Sequence, residues 1–573
     1  MGINELYDLW LKKADRDPDL REELLSVAGN EAEINDRFWK TLSFGTGGLR
    51  GVIGAGTNRM NVYTVSQATQ GLADYLNAKF DAPSVAIAHD SRIKSDVFAR
   101  AAASVLAANG IRVHMYSRLA PTPMLSYAVR KLGCASGIVV TASHNPSKYN
   151  GYKCYNVNGY QMTDDEAGEL TGIIQKVDMF DGVKTTDFDA AVAEGTIDYA
   201  CDGLFEDFYA DEMATRIEPE VPAKAGLRIL YTPLNGTGNV PIREILRRCG
   251  HSDVRVIASQ EQPDGTFPTC PFPNPEIKQV FEEGFKLTAD FPADLIIASD
   301  PDADRIGIAV RHGGEYHLMS GNEVGCMLTD YLLSRRKANG VLPAHPVVVK
   351  TIVTTELVKA IADSYGAETV SLLTGFKYIG EFITEKEKQG AKDDYILGFE
   401  ESYGYFAGTF LREKDAVNAA MLIAEMAAYR KSVGDDLWAY MQSLYNKFGM
   451  YQNSLLNFQF EGEDGMKKMA SIMASLRENA PKEVAGLKVL KIGDCKKQTV
   501  TDCATGASES TGLPVSDVIL LFLENDCKVV VRPSGTEPKL KAYLTANAPD
   551  ADSAEKLTAE MAADVKKILG IEG

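Results

Sequence analysis

Residues 137–153, Gly-Ile-Val-Val-Thr-Ala-Ser-His-Asn-Pro-Ser-Lys-Tyr-Asn-Gly-Tyr-Lys, carry a hydroxyl, an imidazole and an amine just beyond a short apolar run. Gly137 to Val140 reads as a buried strand. Pro146 removes a backbone donor and stops it, and Asn150-Gly151 is a turn signal. Ser143, His144 and Lys153 are therefore expected on the loop at the C-terminal end of a strand, where open α/β sheets bind ligands. A second apolar run, Leu295 to Ser299, leads into Asp300-Pro301-Asp302-Ala303-Asp304-Arg305. Three carboxylates this close repel one another unless a cation neutralises them. Their all-oxygen donor set suits Mg²⁺ or Mn²⁺. An EF-hand loop does not fit, because Arg305 and Arg311 stand where its Gly and Glu belong.

Two further stretches follow apolar runs. Gly398-Phe399-Glu400-Glu401-Ser402-Tyr403-Gly404 offers carboxylates and a hydroxyl matched to sugar hydroxyls. Upstream, Thr374-Gly375-Phe376-Lys377 is a polar loop with a cation; downstream, Arg412-Glu413-Lys414-Asp415 opens a helix. Arg532-Pro533-Ser534-Gly535-Thr536 places a guanidinium, two hydroxyls and free amides around a glycine, a phosphate cradle. Near the start, Phe44-Gly45-Thr46-Gly47-Gly48-Leu49-Arg50-Gly51 would let backbone and guanidinium approach an anion. Taken singly, each stretch also fits ordinary turns and solvated charges. Together they imply a nucleophile loop, a divalent metal, a polyol reader and a phosphate anchor, which is the equipment of phosphoryl transfer on a sugar phosphate.

The elements that must position these loops recur. Strands at 85–90 and 112–116 flank a helix at about 94–109. Strands at 227–231 and 253–258 flank a glycine-rich turn, Leu234 to Gly238, and a helix at 239–249. Strands at 346–353 and 368–372 flank a helix from about Thr355. Strand–helix alternation implies βαβ units and mostly parallel pairing. After about residue 455, strands at 455–460, 487–492, 517–523 and 527–532 mix with helices near 464–478 and 552–569, a smaller α+β domain with antiparallel pairing. Residues 3–29 read as amphipathic helix broken at Asp17-Pro18, and 217–226 and 447–455 read as linkers.

The chain has 573 residues, 45% hydrophobic and 24% charged, which implies several globular domains. A net charge of −19 argues against a general nucleic-acid or anionic-membrane binder. No basic–apolar leader opens the chain and no run approaches a membrane span. Nine cysteines without a Cys-x-x-Cys suit reduced thiols, so a cytoplasmic protein is expected.

The chain resembles the α-D-phosphohexomutase family at Thr141 to Pro146, Asp300 to Arg305, Gly398 to Gly404 and Arg532 to Thr536, all in family order and with family-like spacing. Pro263-Asp264-Gly265 and Pro273-Asn274-Pro275-Glu276 match as well. The resemblance implies four domains around a central cleft: three similar α/β domains with mixed, mostly parallel sheets and a smaller α+β C-terminal domain. The expected divisions are 1–216, 217–320, 321–450 and 451–573. It implies a phosphoserine carrier at Ser143, with Asp300, Asp302 and Asp304 joining it around Mg²⁺. Lys153 is implied as general acid/base, with His144 as the alternative, and Arg50 beside the phosphoserine. Arg305, Thr374, Gly375, Lys377, Glu400, Ser402 and Lys414 are implied in substrate binding, and Arg532, Ser534, Gly535 and Thr536 in holding the non-reacting phosphate.

The activity implied is interconversion of α-D-glucose 1-phosphate and glucose 6-phosphate, with glucose 1,6-bisphosphate as activator and intermediate. The partner is then a phosphosugar, with no nucleic acid and no membrane; the oligomeric state stays open. The Glu-Glu-Ser form at 400–402 points to glucose, while pentose or mannose phosphates are the family alternatives. Two rival readings remain: a haloacid-dehalogenase-type phosphotransferase with Asp300 as nucleophile, and a sugar-phosphate sensor without turnover.

Overall fold

The computed structural model describes residues 1–45, 47–460, 462–534 and 539–571, and for 462 and 463 the backbone alone. Gly535 and Thr536 of the expected phosphate loop lie outside the described residues. The chain divides into two compact units, residues 1–321 with 376–436, and residues 322–375 with 437–573. The 321–450 segment expected as a third domain contributes to both.

The first unit contains two mixed sheets. One runs in the order β1 (Gly48–Val52), β5 (Tyr149–Tyr155), β4 (Ser136–Val140), β2 (Ser84–His89), β3 (Arg112–Met115), β6 (Ile197–Asp198). The other runs β11 (Glu315–Met319), β10 (Ile306–His312), β9 (Leu295–Ser299), β7 (Arg228–Thr232), β8 (Asp253–Val256). In each, a central strand has parallel neighbours on both sides, β2 between β3 and β4 and β7 between β8 and β9. Antiparallel strands complete one edge. Every residue of β4 and of β9 is buried, as expected for strands covered on both faces, whose sequences are continuous apolar runs rather than alternations. The polar loops that follow β4 and β9 are the Ser143 and Asp300 loops.

Two expectations need correction here. Asn150-Gly151 does not turn the chain: both residues lie inside β5, paired with β1 as Arg50↔Gly151 and with β4 as Val139↔Lys153. A Cβ on Gly151 would stand 2.4 Å from the Thr141 carbonyl oxygen, so the glycine permits close backbone approach rather than a turn. Lys153 is consequently on a strand rather than on the loop.

The first unit also holds β14 (Tyr395–Glu400) and β15 (Gly404–Phe406), an antiparallel hairpin whose turn is Glu401-Ser402-Tyr403, and the helix Ala416–Ser432. That helix is buried nearly all round. Its N-cap Asp415 accepts hydrogen bonds from the amides of Val417 and Asn418.

In the second unit β12 (Val347–Thr351) and β13 (Glu368–Leu372) pair in parallel. An antiparallel sheet runs β16 (Met450–Gln459), β23 (Lys539–Ala548), β22 (Lys528–Pro533), β21 (Ile519–Leu523), β18 (Leu487–Asp494), β19 (Thr499–Asp502), β20 (Ser508–Ser510), with β17 (Glu483–Val484) on β18. The helices Gly462–Glu478 and Ala551–Ile568 supply Met469, Met473, Met561 and Val565 to its core. This is the antiparallel α+β region expected from the sequence. The 447–455 segment is not a linker: β16 begins at Met450 and pairs with β23 over ten residues. Among the described residues no helix is long and apolar enough to cross a membrane.

Candidate active site

Ser143 sits one turn beyond β4 in the left-handed region, φ 52°, a conformation that costs a residue with a Cβ about 1–2 kcal/mol. Its amide donates to the Thr141 hydroxyl at 2.8 Å. Its own hydroxyl donates to Asp300 Oδ2 at 2.8 Å, and His144 Nδ1 lies 3.3 Å away. The serine is 3% exposed. A strained, buried serine whose hydroxyl faces a carboxylate is held for a purpose other than packing.

The aspartates converge as the sequence spacing predicts. Asp300, Asp302 and Asp304 are all buried, with one carboxylate oxygen of each within 4.8 Å of the others. The loop is built by its own first member: Asp300 Oδ1 accepts the amides of Asp304 (3.1 Å) and Arg305 (3.0 Å), and Ala303 turns the chain at φ 51°. The glycine-rich turn after β7 supports it from below. The Thr237 amide donates to the Pro301 carbonyl at 2.8 Å, and a Cβ on Gly236 would stand 2.4 Å from Pro301 Cα.

Cations surround the cluster. Lys153 Nζ donates to Asp302 Oδ2 at 3.0 Å and lies 3.7 Å from Asp304 Oδ2. Lys414 Nζ lies 2.9 Å from Asp304 Oδ2 and donates to Glu413 at 3.1 Å. Arg305 binds Glu276 at 3.0 Å. Burial pushes the Asp300 carboxyl well above the usual carboxylate range, and Asp304 and Asp302 add to it. Burial acts on Asp302 in the same sense, but Lys153, the hydrogen bond with Asp300 and Lys414 together outweigh it and hold Asp302 below that range. Burial keeps His144 neutral well below its ordinary value, and the nearby Arg305, Arg50 and Lys153 charges act in the same direction.

The residues fit a divalent cation. Lys153 and Lys414 pair with the Oδ2 of Asp302 and Asp304, while Asp302 Oδ1 and Asp304 Oδ1 are buried without a hydrogen-bond donor and stay open to a further cation. One oxygen from each of the three carboxylates, with the Ser143 hydroxyl beside Asp300, makes a hard, all-oxygen donor set.

Glu400 ends β14 and is 5% exposed. Burial raises its carboxyl to about 7, against the opposing charge of Lys414. Ser402 lies half-buried in the hairpin turn. A Cβ on Gly404 would stand 2.3 Å from Lys414 Cδ, so this glycine opens the path by which Lys414 reaches Asp304. Arg50 is exposed on β1, and its charge is felt at His144. Lys377 is engaged elsewhere: it starts the helix Phe376–Lys388 and binds Asp164 at 2.6 Å. Thr374, Gly375, Arg532 and Ser534 belong to the second unit.

Sequence reasoning missed Thr122, whose hydroxyl donates to Asp302 Oδ2 (3.0 Å) and whose amide donates to the Asp302 carbonyl (2.9 Å). Thr122 opens the helix Thr122–Leu132 between two prolines, a helix-start signature that was available. It also missed Asp90 and Arg92 beneath the serine loop.

Comparison with known proteins agrees with this geometry. The phosphoglucomutase/phosphomannomutase family descriptions match in series: α/β/α domain I at residues 41–180, domain II at 207–314, domain III at 320–448 and the C-terminal domain at 496–564. A Staphylococcus saprophyticus phosphoglucomutase is 36% identical over 522 residues, 90% of this chain and 92% of that protein. A Staphylococcus aureus phosphoglucomutase is 33% identical over 556 residues, 96% of this chain and 98% of that protein. Among solved structures, parafusin (phosphoglucomutase) of Paramecium shares the fold with a TM-score of 0.68 at 16% identity, covering 93% of this chain and 96% of that one. With matching domains along most of its length, buried aspartates around a serine and relatives above 30% identity, this chain belongs to the phosphoglucomutase/phosphomannomutase family.

Proposed function

We propose that the protein is a phosphoglucomutase, interconverting α-D-glucose 1-phosphate and glucose 6-phosphate through a phosphorylated Ser143 and glucose 1,6-bisphosphate. The observation that carries this reading is the Ser143 hydroxyl at 2.8 Å from Asp300, inside a cluster whose other carboxylates have unsatisfied buried oxygens. Asp300, Asp302, Asp304 and the phosphoserine would hold Mg²⁺, which when bound supplies electrostatic stabilisation of the transferring phosphoryl group.

Phosphoryl transfer needs in-line positioning and charge neutralisation more than covalent help. The Ser143 O–P bond breaks as the sugar hydroxyl oxygen forms its own bond to phosphorus. Lys153 Nζ, acting as the neutral amine, takes the sugar hydroxyl proton and hands it to the Ser143 oxygen as that oxygen leaves phosphorus; on reversal the proton runs back to the sugar oxygen. Lys153 suits the task better than His144, whose surroundings oppose protonation. Glu400 and Ser402 accept and donate hydrogen bonds to sugar hydroxyls, Arg305 and Lys414 add positive charge, and Arg50 lies against the phosphoserine. Arg532, Ser534, Gly535 and Thr536 hold the phosphate that does not react, with Thr374 and Gly375 as further substrate contacts and Lys377 joining them only on release from Asp164. A bisphosphate that turns over within the site needs this division between a fixed anchor and tolerant hydroxyl readers. The same reading divides the chain at 1–216, 217–320, 321–450 and 451–573, one motif in each part.

The test is formation of glucose 6-phosphate from glucose 1-phosphate with Mg²⁺ and catalytic glucose 1,6-bisphosphate, read through glucose-6-phosphate dehydrogenase. Mannose and pentose phosphates in the same panel rank the substrates, and glucose is expected first. Saturable binding of glucose 1-phosphate without turnover would make the protein a sensor instead.

A further inference from the structure

The loop that carries Ser143 holds a left-handed serine in a fixed place. Its carbonyls converge on one side chain. The Arg92 guanidinium donates to the carbonyls of Ser143 and Asn145 through one terminal nitrogen, and to those of Pro146 (3.0 Å) and Tyr149 (3.1 Å) through the other. Arg92 Nε lies 3.3 Å from Asp90 Oδ2, both side chains being wholly buried. Asp90 in turn accepts from the Thr141 hydroxyl at 2.6 Å and the Ser95 hydroxyl at 2.7 Å. Thr141 is the residue whose hydroxyl receives the Ser143 amide.

The opposite face of the guanidinium is covered by Phe267, whose ring centroid is 5.0 Å away. Phe267 arrives on the Pro263-Asp264-Gly265 turn, a motif given no part in the reaction. Gly265 bridges Arg92, and a Cβ there would stand 2.5 Å from the Ile93 amide nitrogen.

We infer that Arg92, fixed by Asp90 and by the ring of Phe267, is a positioning residue that sets the Ser143 loop for phosphoryl transfer. This rests on the reading of Ser143 as the phosphate carrier. Only a planar fork of five donors can reach four carbonyls at once; an ammonium cannot span them. A loop displaced by about 1 Å should lose on the order of 100-fold in the chemical step while leaving the substrate contacts and the three aspartates of the metal site in place.

The experiment compares wild type with Arg92→Lys and Phe267→Leu in the glucose 1-phosphate assay. It follows kcat, KM, Mn²⁺ affinity and the single-turnover rate of Ser143 phosphorylation by glucose 1,6-bisphosphate. Arg92→Lys is expected to lower kcat and the phosphorylation rate together by about 100-fold, with KM and Mn²⁺ affinity within about threefold of wild type. Phe267→Leu, the fallback if Arg92→Lys does not fold, is expected to lower both rates about tenfold with the same split. Unchanged rates, or a KM that rises and a metal affinity that falls in step with the loss of kcat, overturns the inference. A wild type without turnover overturns the functional reading itself.

Discussion

Glu400 provides a test in which the sign of a pH effect is fixed by burial. Its carboxyl titrates at about 7, against 4.5 for an ordinary glutamate. Between those values the folded protein holds a proton that the unfolded chain has lost. Stability is therefore fully present below 4.5 and falls as pH rises through 7. The shift is worth roughly 3 kcal/mol at 1.36 kcal/mol per unit. Glu400→Gln keeps the shape and removes the charge, so the variant escapes this loss at high pH and gains nothing at low pH. Spread over the first unit at about 2 cal/mol/K per residue of unfolding entropy, that free energy corresponds to roughly 4 °C. The assay is thermal unfolding of wild type and variant in EDTA, at pH 5 and pH 8. Part of the loss is already present at pH 5, so the melting temperature of Glu400→Gln relative to wild type should rise by about 3 °C between the two pH values. An offset that is the same at both pH values refutes the reasoning, because the carboxylate would then be ionised throughout or solvated.

Three further outcomes follow. Lys153→Met should cut kcat by at least about 100-fold while Mn²⁺ affinity is kept or raised, since the ammonium competes for Asp302; unchanged turnover removes Lys153 from the mechanism. Gly404→Ala must push the Lys414 side chain aside, and should weaken kcat/KM by about tenfold with little change in unfolding temperature; a variant indistinguishable from wild type would show that Lys414 has no part in catalysis. In the second unit, Glu356 joins buried Lys350 (2.9 Å) and Lys528. Burial works against the Glu356 charge, but the two lysines outweigh it and lower the carboxyl to about 2. Its stabilisation is present above 4.5 and lost as pH falls toward 2, and Glu356→Gln should destabilise that unit by about 3–5 kcal/mol at pH 7 in urea titration.

The parts legible in the sequence were those written locally. The β4 and β9 runs are continuous and apolar, so the loops that follow them were placed correctly, and the aspartate spacing needed only the strand ahead of it. The βαβ units came from strand–helix alternation. What failed depended on partners distant in sequence. Asn150-Gly151 has the composition of a turn, and only the Thr141 carbonyl beside Gly151 reveals a strand. The start of β16 reads as a linker in the sequence; its pairing with β23, distant along the chain, is what makes it a strand. Asp90 and Arg92 look like a solvated strand end. They become the floor of the serine loop because β2 and β4 are parallel neighbours, which no local pattern records. Lys414 was marked only by resemblance, and its route to Asp304 depends on the absence of a side chain at Gly404.

The central claim is that Ser143 carries the phosphate. Peptide mass spectrometry before and after incubation with glucose 1,6-bisphosphate and Mg²⁺ tests it most directly. The account predicts phosphate on the peptide containing Ser143, stable to hydroxylamine and discharged by glucose 1-phosphate. An unmodified Ser143 under both conditions, or a hydroxylamine-labile phosphate on Asp300, would contradict it.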